Sequence, residues 1–600
     1  MSLQKTLPLD PLSETRDRLE EAGRICRSVL DKTPDDLTYL HLMGIIECKL
    51  NRFAQARTWF RKSLALNPDS PEILCSYALC LITGKDFEGA IPLLARAVRI
   101  KPDFTLALQH LGDSYKENGN LAEAYRIYER LLALKPDDRQ ILYDLALIAK
   151  ELGNLPAALA YSKRAVDREP SNPFCINNLG IICYMLGDYG KALACYRLAL
   201  ELHPDYPEAL SNLSILLNEM GAFEQALALS RRALELRPPY PEALNNLALS
   251  LMGAGRLKEA IEALRSAAKI KETDPETQYN LSVALLAAEE FEEGWRLFEA
   301  RWKTGPLKDS HRKYPRPLWR GEPAKDRILF IHPEQGLGDT IQFCRYATVA
   351  ASLGLRVVMQ VQPPLVRLLQ SLDGVEVTDC REPAEFDFHC PMMSLPLAMQ
   401  TGLKTIPERR PYLTADELEI VEWRERIAPL STAKPRVGLV WAGSARLHSP
   451  SLGLTDRRRS IAPEMLAPLV TDNKDIHFFS LQKDGLKAPQ ALGLIDLMDE
   501  CIDFADTAAL IANLDLVITV DTAVAHLAGA LGAPVWVMNR FDSCWRWQRQ
   551  RETTPWYPSM RLFHQPKAGD WESVIARIAS ELSTRYPLTT NQRDGSQSGH

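Results

Sequence analysis

The chain has no long apolar run, no close cysteine pair and little net charge, and each absence excludes a class of protein. No stretch of about 18 uninterrupted apolar residues occurs, which argues against a membrane-spanning helix. The first residues lack a basic segment followed by an apolar one, so no signal peptide is predicted. The twelve cysteines include no CxxC pair and no histidine–cysteine cluster at metal-ligand spacing. We therefore expect a cytoplasmic protein with reduced thiols and no metal site.

Charge and size set two further limits. The formal net charge of -6 over 600 residues disfavours nucleic acid or an anionic membrane as the main partner. Hydrophobic residues make up 46% of the chain and charged residues 25%, which is ordinary for a globular protein. The length exceeds what one hydrophobic core supports. We therefore expect several domains and no nucleic-acid partner.

The first half of the chain has a strict 34-residue period. A proline ends a helix, and a small residue lets two helices cross closely, so their regular return predicts a repeated helix–turn–helix. The pattern is typical of tetratricopeptide repeats. It predicts an α solenoid over residues 1–305, with about seven full repeats between residues 37 and 274 and partial units at both ends. The markers are Pro34, Pro68, Pro102, Pro136, Pro170, Pro204 and Pro238, with the small residues Gly44, Gly112, Gly180, Ala56, Ala90, Ala124, Ala158, Ala192, Ala226 and Ala260.

The sixth residue of the last four repeats is an asparagine: Asn178, Asn212, Asn246 and Asn280. Stacked repeats form a concave groove that binds extended peptides. An asparagine amide both donates and accepts hydrogen bonds, so a ladder of them can bind a peptide backbone of any sequence. The arrangement is similar to the asparagine ladder of the eukaryotic O-GlcNAc transferases. It predicts a protein acceptor in the groove; the alternative is that asparagine is simply common at this place in the repeat.

A change of pattern marks the second half. A basic, proline-rich linker covers residues 306–326, and the aromatic residues Trp302, Tyr314 and Trp319 predict that it is an ordered strap. From residue 327, short apolar runs alternate with helical segments, which predicts parallel sheets covered by helices. We expect one α/β lobe at 327–415, a second at 435–585 and a disordered tail at 586–600. Ligands of such folds bind beyond the carboxyl ends of the strands, which predicts a cleft between the lobes.

Two strand–loop–helix junctions carry the candidate chemistry. In GLGDT at 336–340, Gly336 and Gly338 permit a tight turn and Asp339 opens a helix. In the second junction, Asp521 begins a helix that carries His526 one turn later, and the free N–H groups at its start suit a phosphate. The alternative interpretation is that Asp339 and Asp521 are only helix caps.

Two further segments of the second half carry candidate residues. The strand segment GLVWAGS at 438–444 is followed by a run of three arginines at 457–459, whose alternative interpretation is a solvated face. The aromatic residues around 545–557 are interpreted as packing between the last segment and the lobes rather than as a sugar platform.

The two junction motifs together resemble the ADP-heptose heptosyltransferase family of lipopolysaccharide synthesis. GLGDT and DTAVAHLAGALGAPVWV occur in the family's order, and the resemblance covers residues 327–585. With EQGLGDTIQFCRY, WRWQRQRETTPWYPSMRLF and the repeats in front, the chain is also similar to bacterial tetratricopeptide–glycosyltransferase fusions, some of which modify flagellins. The resemblance implies the two-lobed GT-B fold, with a nucleotide sugar as donor substrate and no cofactor. The first lobe is short for this family, so neither its acceptor nor its heptose donor is carried over.

The resemblance also implies roles for individual residues. Asp339 corresponds to the family's general base, and the segment from Asp521 and Thr522 to His526 corresponds to its donor-binding segment. We assign the donor site, with groups that hold its phosphates, to a wider set: Gly336, Gly338, Ser444, Arg459, Lys483, Asp521, Thr522 and His526. A cationic group near the diphosphate would replace the metal of other transferases, so we expect metal-independent and inverting transfer.

Three functions remain open at this point. The first is transfer of a sugar to a hydroxyl of a protein acceptor held by the repeats, for example a flagellin serine or threonine. The second is transfer to lipopolysaccharide or another envelope glycan. The third is a non-catalytic repeat scaffold with a degenerate transferase domain, against which the presence of both Asp339 and the DTAVAH segment argues.

Overall fold

The computed structural model describes residues 16–305, 308, 314–379, 385–407, 411–431, 434–443, 450–483 and 487–587. The chain divides into two compact units, Met1–Pro204 and Asp205–His600. This boundary lies inside the repeat array and not near residue 305, where the period ends. The second unit therefore contains the last repeats together with the whole α/β part.

Seventeen consecutive helices occupy the described residues from 16 to 298. From α2 onward they form pairs, and each pair falls within one predicted 34-residue period, which confirms the repeat assignment. None of the described helices is both long and apolar enough to cross a membrane. The helices are α1 (Arg16–Leu30), α2 (Leu37–Lys49), α3 (Phe53–Leu66), α4 (Pro71–Thr83), α5 (Phe87–Ile100), α6 (Thr105–Glu117), α7 (Leu121–Leu134), α8 (Arg139–Glu151), α9 (Leu155–Arg168), α10 (Pro173–Met185), α11 (Tyr189–Leu202), α12 (Pro207–Glu219), α13 (Phe223–Leu236), α14 (Pro241–Gly253), α15 (Leu257–Ile270), α16 (Pro275–Ala287) and α17 (Phe291–Phe298).

The recurring small residues act as the sequence predicts. A Cβ atom on Gly44 would lie 2.7 Å from the ring of Phe60, and one on Gly112 would lie 2.7 Å from the ring of Tyr128. In these repeats the missing side chain leaves room for an aromatic ring of the second helix. The recurring alanines of the second helices are all fully buried: Ala56, Ala90, Ala124, Ala158, Ala192, Ala226 and Ala260.

The first α/β lobe is a four-stranded parallel sheet in the order β3-β2-β1-β4. Its central strand β1 ends at the loop that leads into the first junction motif. The strands are β1 (Ile328–His332), β2 (Arg356–Gln360), β3 (Val375–Thr378) and β4 (Phe388–Pro391), and the helices are α18 (Leu337–Phe343), α19 (Arg345–Ser352), α20 (Val366–Leu369) and α21 (Leu395–Ala398).

The described part of the linker is an ordered strap along this sheet. The backbone N–H of Trp319 donates to the carbonyl of His389 in β4 at 2.9 Å, and the Trp319 side chain is 1% exposed. The ring of Tyr314 lies 4.8 Å from that of His332 and 4.7 Å from that of His389. These aromatic contacts extend the edge of the sheet.

The second lobe is a seven-stranded sheet in the order β10-β11-β9-β8-β5-β6-β7. All its strand pairs are parallel except the short β10 against β11. Residues that follow β5, β6, β8 and β9 therefore meet at one edge, where α/β folds bind ligands. The elements are β5 (Arg436–Val440), β6 (His477–Ser480), β7 (Ile495–Asp496), β8 (Leu516–Val520), β9 (Val535–Asn539), β10 (Thr553–Thr554), β11 (Tyr557–His564), α22 (Glu417–Ile427), α23 (Pro450–Arg459), α24 (Ala467–Thr471), α25 (Phe504–Ile511), α26 (Ala523–Ala530) and α27 (Trp571–Arg585).

Within the second unit, the last repeats pack directly on the α/β part. Arg458 at the end of α23 donates to the carbonyl oxygen of Asn218 in α12 at 3.2 Å. The rings of Phe223 in α13 and Phe541 after β9 stack with centroids 6.1 Å apart. The repeats of this unit and the second lobe therefore share a packed interface.

A buried charge network ties the end of the repeats to the first junction. Arg301, in a 3₁₀ turn at Glu299–Lys303, is 1% exposed and pairs with Glu334 at 2.8 Å and Glu299 at 2.6 Å. Its remaining nitrogen donates to Ser394 at 2.7 Å, and Glu334 also accepts from the N–H of Met393 at 2.7 Å. Because Glu334 lies two residues before Gly336, this network fixes the loop that leads to Asp339.

Candidate functional site

Asp339 lies in the first turn of α18, just beyond β1. Its Oδ2 accepts a hydrogen bond from the Gly336 N–H at 3.1 Å, so the carboxylate does cap its helix. Its Oδ1 accepts a second hydrogen bond from Nη2 of Arg546 at 2.6 Å. The side chain is still 21% exposed, and each carboxylate oxygen has a further lone pair. The capping role therefore leaves Asp339 able to accept a proton from an incoming hydroxyl.

Gly338 is the point at which the two lobes meet. It lies within α18, and a Cβ atom on it would be 2.8 Å from Cδ2 of His526 and 3.5 Å from Cα of Ala523 in α26. The tight turn expected from the two glycines is not observed, because Gly336 has φ −79°, which any residue can adopt. The glycine at 338 instead allows close approach of two helices, and this contact brings the two junction motifs together.

Arg546 links the two motifs, although no sequence motif marks it. It lies in a 3₁₀ turn, Trp545–Trp547, and its buried guanidinium donates to Asp339 and to Oε1 of Gln342. Burial opposes its charge, but Cys544, followed by Asp339 and Asp521, outweighs this cost and holds the Arg546 pKa above its ordinary value. The guanidinium also lies over the Trp545 ring, 4.4 Å from its centroid. The site thus contains a fixed positive charge.

His526 is a neutral residue in this site. It is 5% exposed, its Nδ1 lies 2.8 Å from the hydroxyl of Tyr557, and its ring centroid lies 5.1 Å from that of Trp547. Burial, followed by the positive charge of Arg546, lowers the pKa of His526 to about 3. It is therefore uncharged at neutral pH and a poor general base. Tyr557 and Trp547, interpreted above as packing residues, fix its ring.

Asp521 and Thr522 connect β8 to α26, and Arg459 lies beside them. Thr522 is the N-cap residue of α26, but its Oγ1 lies 3.0 Å from Oγ1 of Thr519 instead of capping the helix. Arg459 donates from Nη1 to the backbone oxygen of Asp521 at 3.1 Å, and its Nη2 pairs with Asp456 at 2.8 Å. With 18% of its side chain exposed, Arg459 belongs to this edge of the sheet and not to a solvated face.

Lys483 follows β6 at the same edge, but its ammonium group is already engaged. Its Nζ donates to the backbone oxygens of Met498 and Cys501, both at 2.6 Å, which leaves one of its three donors. The structure thus favours a structural role for this lysine. Arg540, directly after β9, is a further cation at the edge that the sequence analysis did not select. Ser444 lies outside the described residues.

The four asparagines of the repeats differ in their surroundings. Asn178 is 3% exposed and Asn246 is 9% exposed, and both donate from Nδ2 to serine hydroxyls of the repeats, at 3.2 and 2.7 Å. The Nδ2 groups of both amides are engaged inside the repeat array, while the enclosed Oδ1 of Asn178 has no hydrogen-bond partner among the described residues. The engaged Nδ2 groups favour the alternative that asparagine belongs to the repeat pattern. Asn212 and Asn280 are half-buried, and their contact with a peptide remains a prediction.

Comparisons with known proteins agree with both halves of the structure. Profiles of the tetratricopeptide repeat match residues 42–103, 111–173, 173–238 and 217–278. The profile of glycosyltransferase family 9 (heptosyltransferase) matches residues 501–540, which include β8, α26 and β9. The chain is thus similar to a tetratricopeptide-repeat array followed by a segment of a family 9 glycosyltransferase. Within the described part of this chain, no group of three histidine, cysteine or acidic side chains could hold a metal ion.

Individual relatives match parts of this chain. Protein FlbA of Caulobacter vibrioides is 29% identical over 324 residues, which cover 48% of this chain and 52% of FlbA. The chain thus spans about half the length of this curated relative. Among solved structures, the Cut9–Hcn1 heterotetramer of APC/C has 17% identity and a TM-score of 0.33, covering 45% of this chain and 53% of that one. A tetratricopeptide repeat protein from Parabacteroides merdae has 20% identity and a TM-score of 0.37, with coverages of 40% and 95%.

Proposed function

We propose that the family 9 domain transfers a sugar from a nucleotide-sugar donor to a hydroxyl group of a protein acceptor, with inversion and without a metal. The observation that carries this proposal is the contact of the two junction motifs, through Gly338 and His526, with Arg546 bound to Asp339. It places a partly exposed carboxylate beside the start of α26. A base close to a phosphate-binding segment is the arrangement that glycosyl transfer to a hydroxyl requires.

Asp339 is the general base of this proposal. It takes the proton of the acceptor hydroxyl while that oxygen bonds to the anomeric carbon of the sugar, and the bond from this carbon to the diphosphate breaks. Attack from the side opposite the diphosphate inverts the anomeric centre. The Gly336 N–H and Arg546 hold the two carboxylate oxygens in position. His526 is unsuited to this role because its pKa is about 3.

Negative charge develops on the diphosphate as it leaves, and the site offers three groups of the opposite polarity. These are the guanidinium groups of Arg459 and Arg546 and the N–H groups at the start of α26. Cations and helix N-termini stabilise such charge without a metal ion. Asp521 and Thr522 lie at the start of α26, where they are positioned to orient the nucleotide sugar.

The repeats support a protein as the acceptor. Tetratricopeptide arrays bind extended peptides, and the last repeats of this chain pack on the transferase domain within one compact unit. A peptide on these repeats has a short path to the site. Flagellin serine and threonine hydroxyls are the acceptors that the resemblance suggests.

The proposal is tested by replacing the carboxylate without changing its shape. The donor is first chosen by thermal shift of the full chain with ADP-, UDP-, GDP- and CMP-sugars. Asp339→Asn keeps one acceptor oxygen, for either the Gly336 N–H or Arg546, and cannot take a proton, so turnover should fall by about 10²- to 10⁴-fold with an unchanged donor-induced thermal shift. Turnover is measured as nucleotide release and as added mass on serine- and threonine-containing peptides.

Asp416→Asn is the matched control. Asp416 caps α22 through the N–H groups of Leu418 and Glu419, so it is also a capping aspartate but lies outside the site. This variant should keep wild-type turnover. Undiminished turnover of Asp339→Asn would remove this residue from the mechanism, and transfer to saccharides but not to peptides would favour the envelope-glycan alternative.

A further inference from the structure

The last repeat places a helix beside the candidate catalytic residues. Helix α16 packs against the 3₁₀ turn that carries Arg546. Tyr279 of α16 packs on the hydrophobic cluster that includes Phe343 of α18 and Trp545 of this turn, and its ring lies 5.7 Å from that of Phe298. The phenol of Tyr279 thus comes from the repeat array but lies in the surroundings of the transferase site.

The hydroxyl of Tyr279 has no hydrogen-bond partner among the described residues. Burial raises the pKa of Tyr279, and the charges of Arg546 and Asp339 both act on the phenol. The group therefore stays protonated at neutral pH and lies within electrostatic range of the catalytic pair. A protonated phenol both donates and accepts hydrogen bonds.

A second unsatisfied group lies next to it in the chain. The amide nitrogen Nδ2 of Asn280 is enclosed and has no hydrogen-bond partner among the described residues. Enclosed polar groups without a partner are costly, and they are most often explained by a ligand or water that binds there. The nearby cation Arg301 is fully engaged by Glu334, Glu299 and Ser394. Tyr279 and Asn280 are themselves neutral, and the side chain one turn before them in α16 is the acidic Glu276, so this face of the helix offers no cation and suits peptide amides better than an anionic saccharide.

We propose that the Tyr279 hydroxyl binds a backbone amide of the acceptor polypeptide, next to the serine or threonine whose hydroxyl approaches Asp339. The last repeat then forms part of the acceptor site, with Asn280 as a second contact. This inference rests on the proposed function and adds the residues that hold the acceptor. Tyr279 is an acceptor-binding residue; the proton transfer belongs to Asp339.

The test uses the full chain with Tyr279→Phe, which removes one oxygen and keeps the ring in its packing site. The acceptor probe is a pool of synthetic peptides, each with one serine or threonine among varied neighbours, and the donor is the nucleotide sugar chosen by thermal shift. Loss of one neutral hydrogen bond should raise the KM for peptide by about threefold to tenfold. The kcat at saturating peptide and the donor-induced thermal shift should stay at their wild-type values.

Tyr143→Phe is the control, because Tyr143 is the fifth residue of its repeat, as Tyr279 is of the last one. It should leave the KM for peptide unchanged. A wild-type KM for Tyr279→Phe overturns the inference, and wild-type transfer by the same variant upholds the proposed function. A change confined to donor affinity also overturns the inference. If the wild-type chain transfers no sugar to any peptide, the proposed function fails and the inference fails with it. The donor-induced thermal shift of Tyr279→Phe shows in each case that the variant is folded.

Discussion

The early and the late repeats share one sequence period but have different surroundings. The residue between the two helices of a repeat has a positive φ from Asn51 to Glu289, and in the five middle repeats it is a glycine, with 78° at Gly187 and 80° at Gly255. A Cβ atom on Gly187 would meet no described atom within 4 Å, whereas one on Gly255 would overlap the guanidinium of Arg549. Gly221 likewise faces Arg458. The period therefore predicts the fold of every repeat but not which repeats carry the transferase domain.

The contact between the late repeats and the second lobe matters for the proposed mechanism, because it holds the end of the array next to the candidate site. In the late repeats, side chains of the second lobe cover the turns, and Arg549 itself is held over the ring of Phe541, 3.5 Å from its centroid. The end of the array also reaches the loop before Asp339 through the pair of Arg301 and Glu334. The late repeats are thus a structural part of the unit that contains the candidate site, in addition to any acceptor that they bind.

The largest effect is expected from breaking the pair at the end of the array. Arg301→Met leaves Glu334, whose side chain is fully buried, without its cation. Removing one partner of a buried ion pair costs about 3–5 kcal/mol of the free energy of unfolding, measured by urea denaturation. In the early repeats, Arg96→Met breaks an exposed pair with Asp69 and should cost only about 0–1 kcal/mol. Equal losses in the two variants would contradict the distinct role of the late repeats.

A smaller effect is expected at the turn glycines. Gly187→Ala and Gly255→Ala both force a non-glycine residue into the left-handed region, which costs about 1–2 kcal/mol in each case. Gly255→Ala must also displace the Arg549 guanidinium from the ring of Phe541, and losing this cation–π contact adds about 0.5–1 kcal/mol. The difference between the two variants in the free energy of unfolding isolates the contact with the second lobe. A difference of zero would show that the turn at Gly255 is open in solution.

Local sequence patterns predicted most elements of the fold, because the residues that end a helix or form a strand act on their immediate neighbours in the chain. The prolines and alanines of the period specify where helices end and cross, and the apolar runs mark β1, β2, β5 and β8. The strands β3, β10 and β11 were not predicted: β3 and β10 are short, and the polar and apolar residues of β11 do not alternate regularly. The helix α23, which ends in the arginine run at 457–459, was not predicted either.

The site was predicted only in part, because some of its contacts join residues that are far apart in the sequence. The two junction motifs carry recognisable glycine, aspartate and histidine residues, and the structure brings them together. Arg546 carries no such signal, because an arginine between two tryptophans gives no indication of a partner 207 residues away. The purpose of Gly338 was misassigned for the same reason, since its neighbour His526 belongs to the other lobe. Lys483 has the expected place in the sheet, but its bonds to two carbonyl oxygens depend on the path of a later loop.

The central claim is that one site holds both the nucleotide sugar and the Asp339 carboxylate. The most direct measurement is a structure of the full chain with the nucleotide sugar that gives the largest thermal shift. We predict that its diphosphate contacts the N–H groups at the start of α26 and the guanidinium of Arg459, with the sugar directed toward Asp339. A nucleotide bound elsewhere, with both the start of α26 and Asp339 free of it, would contradict the account.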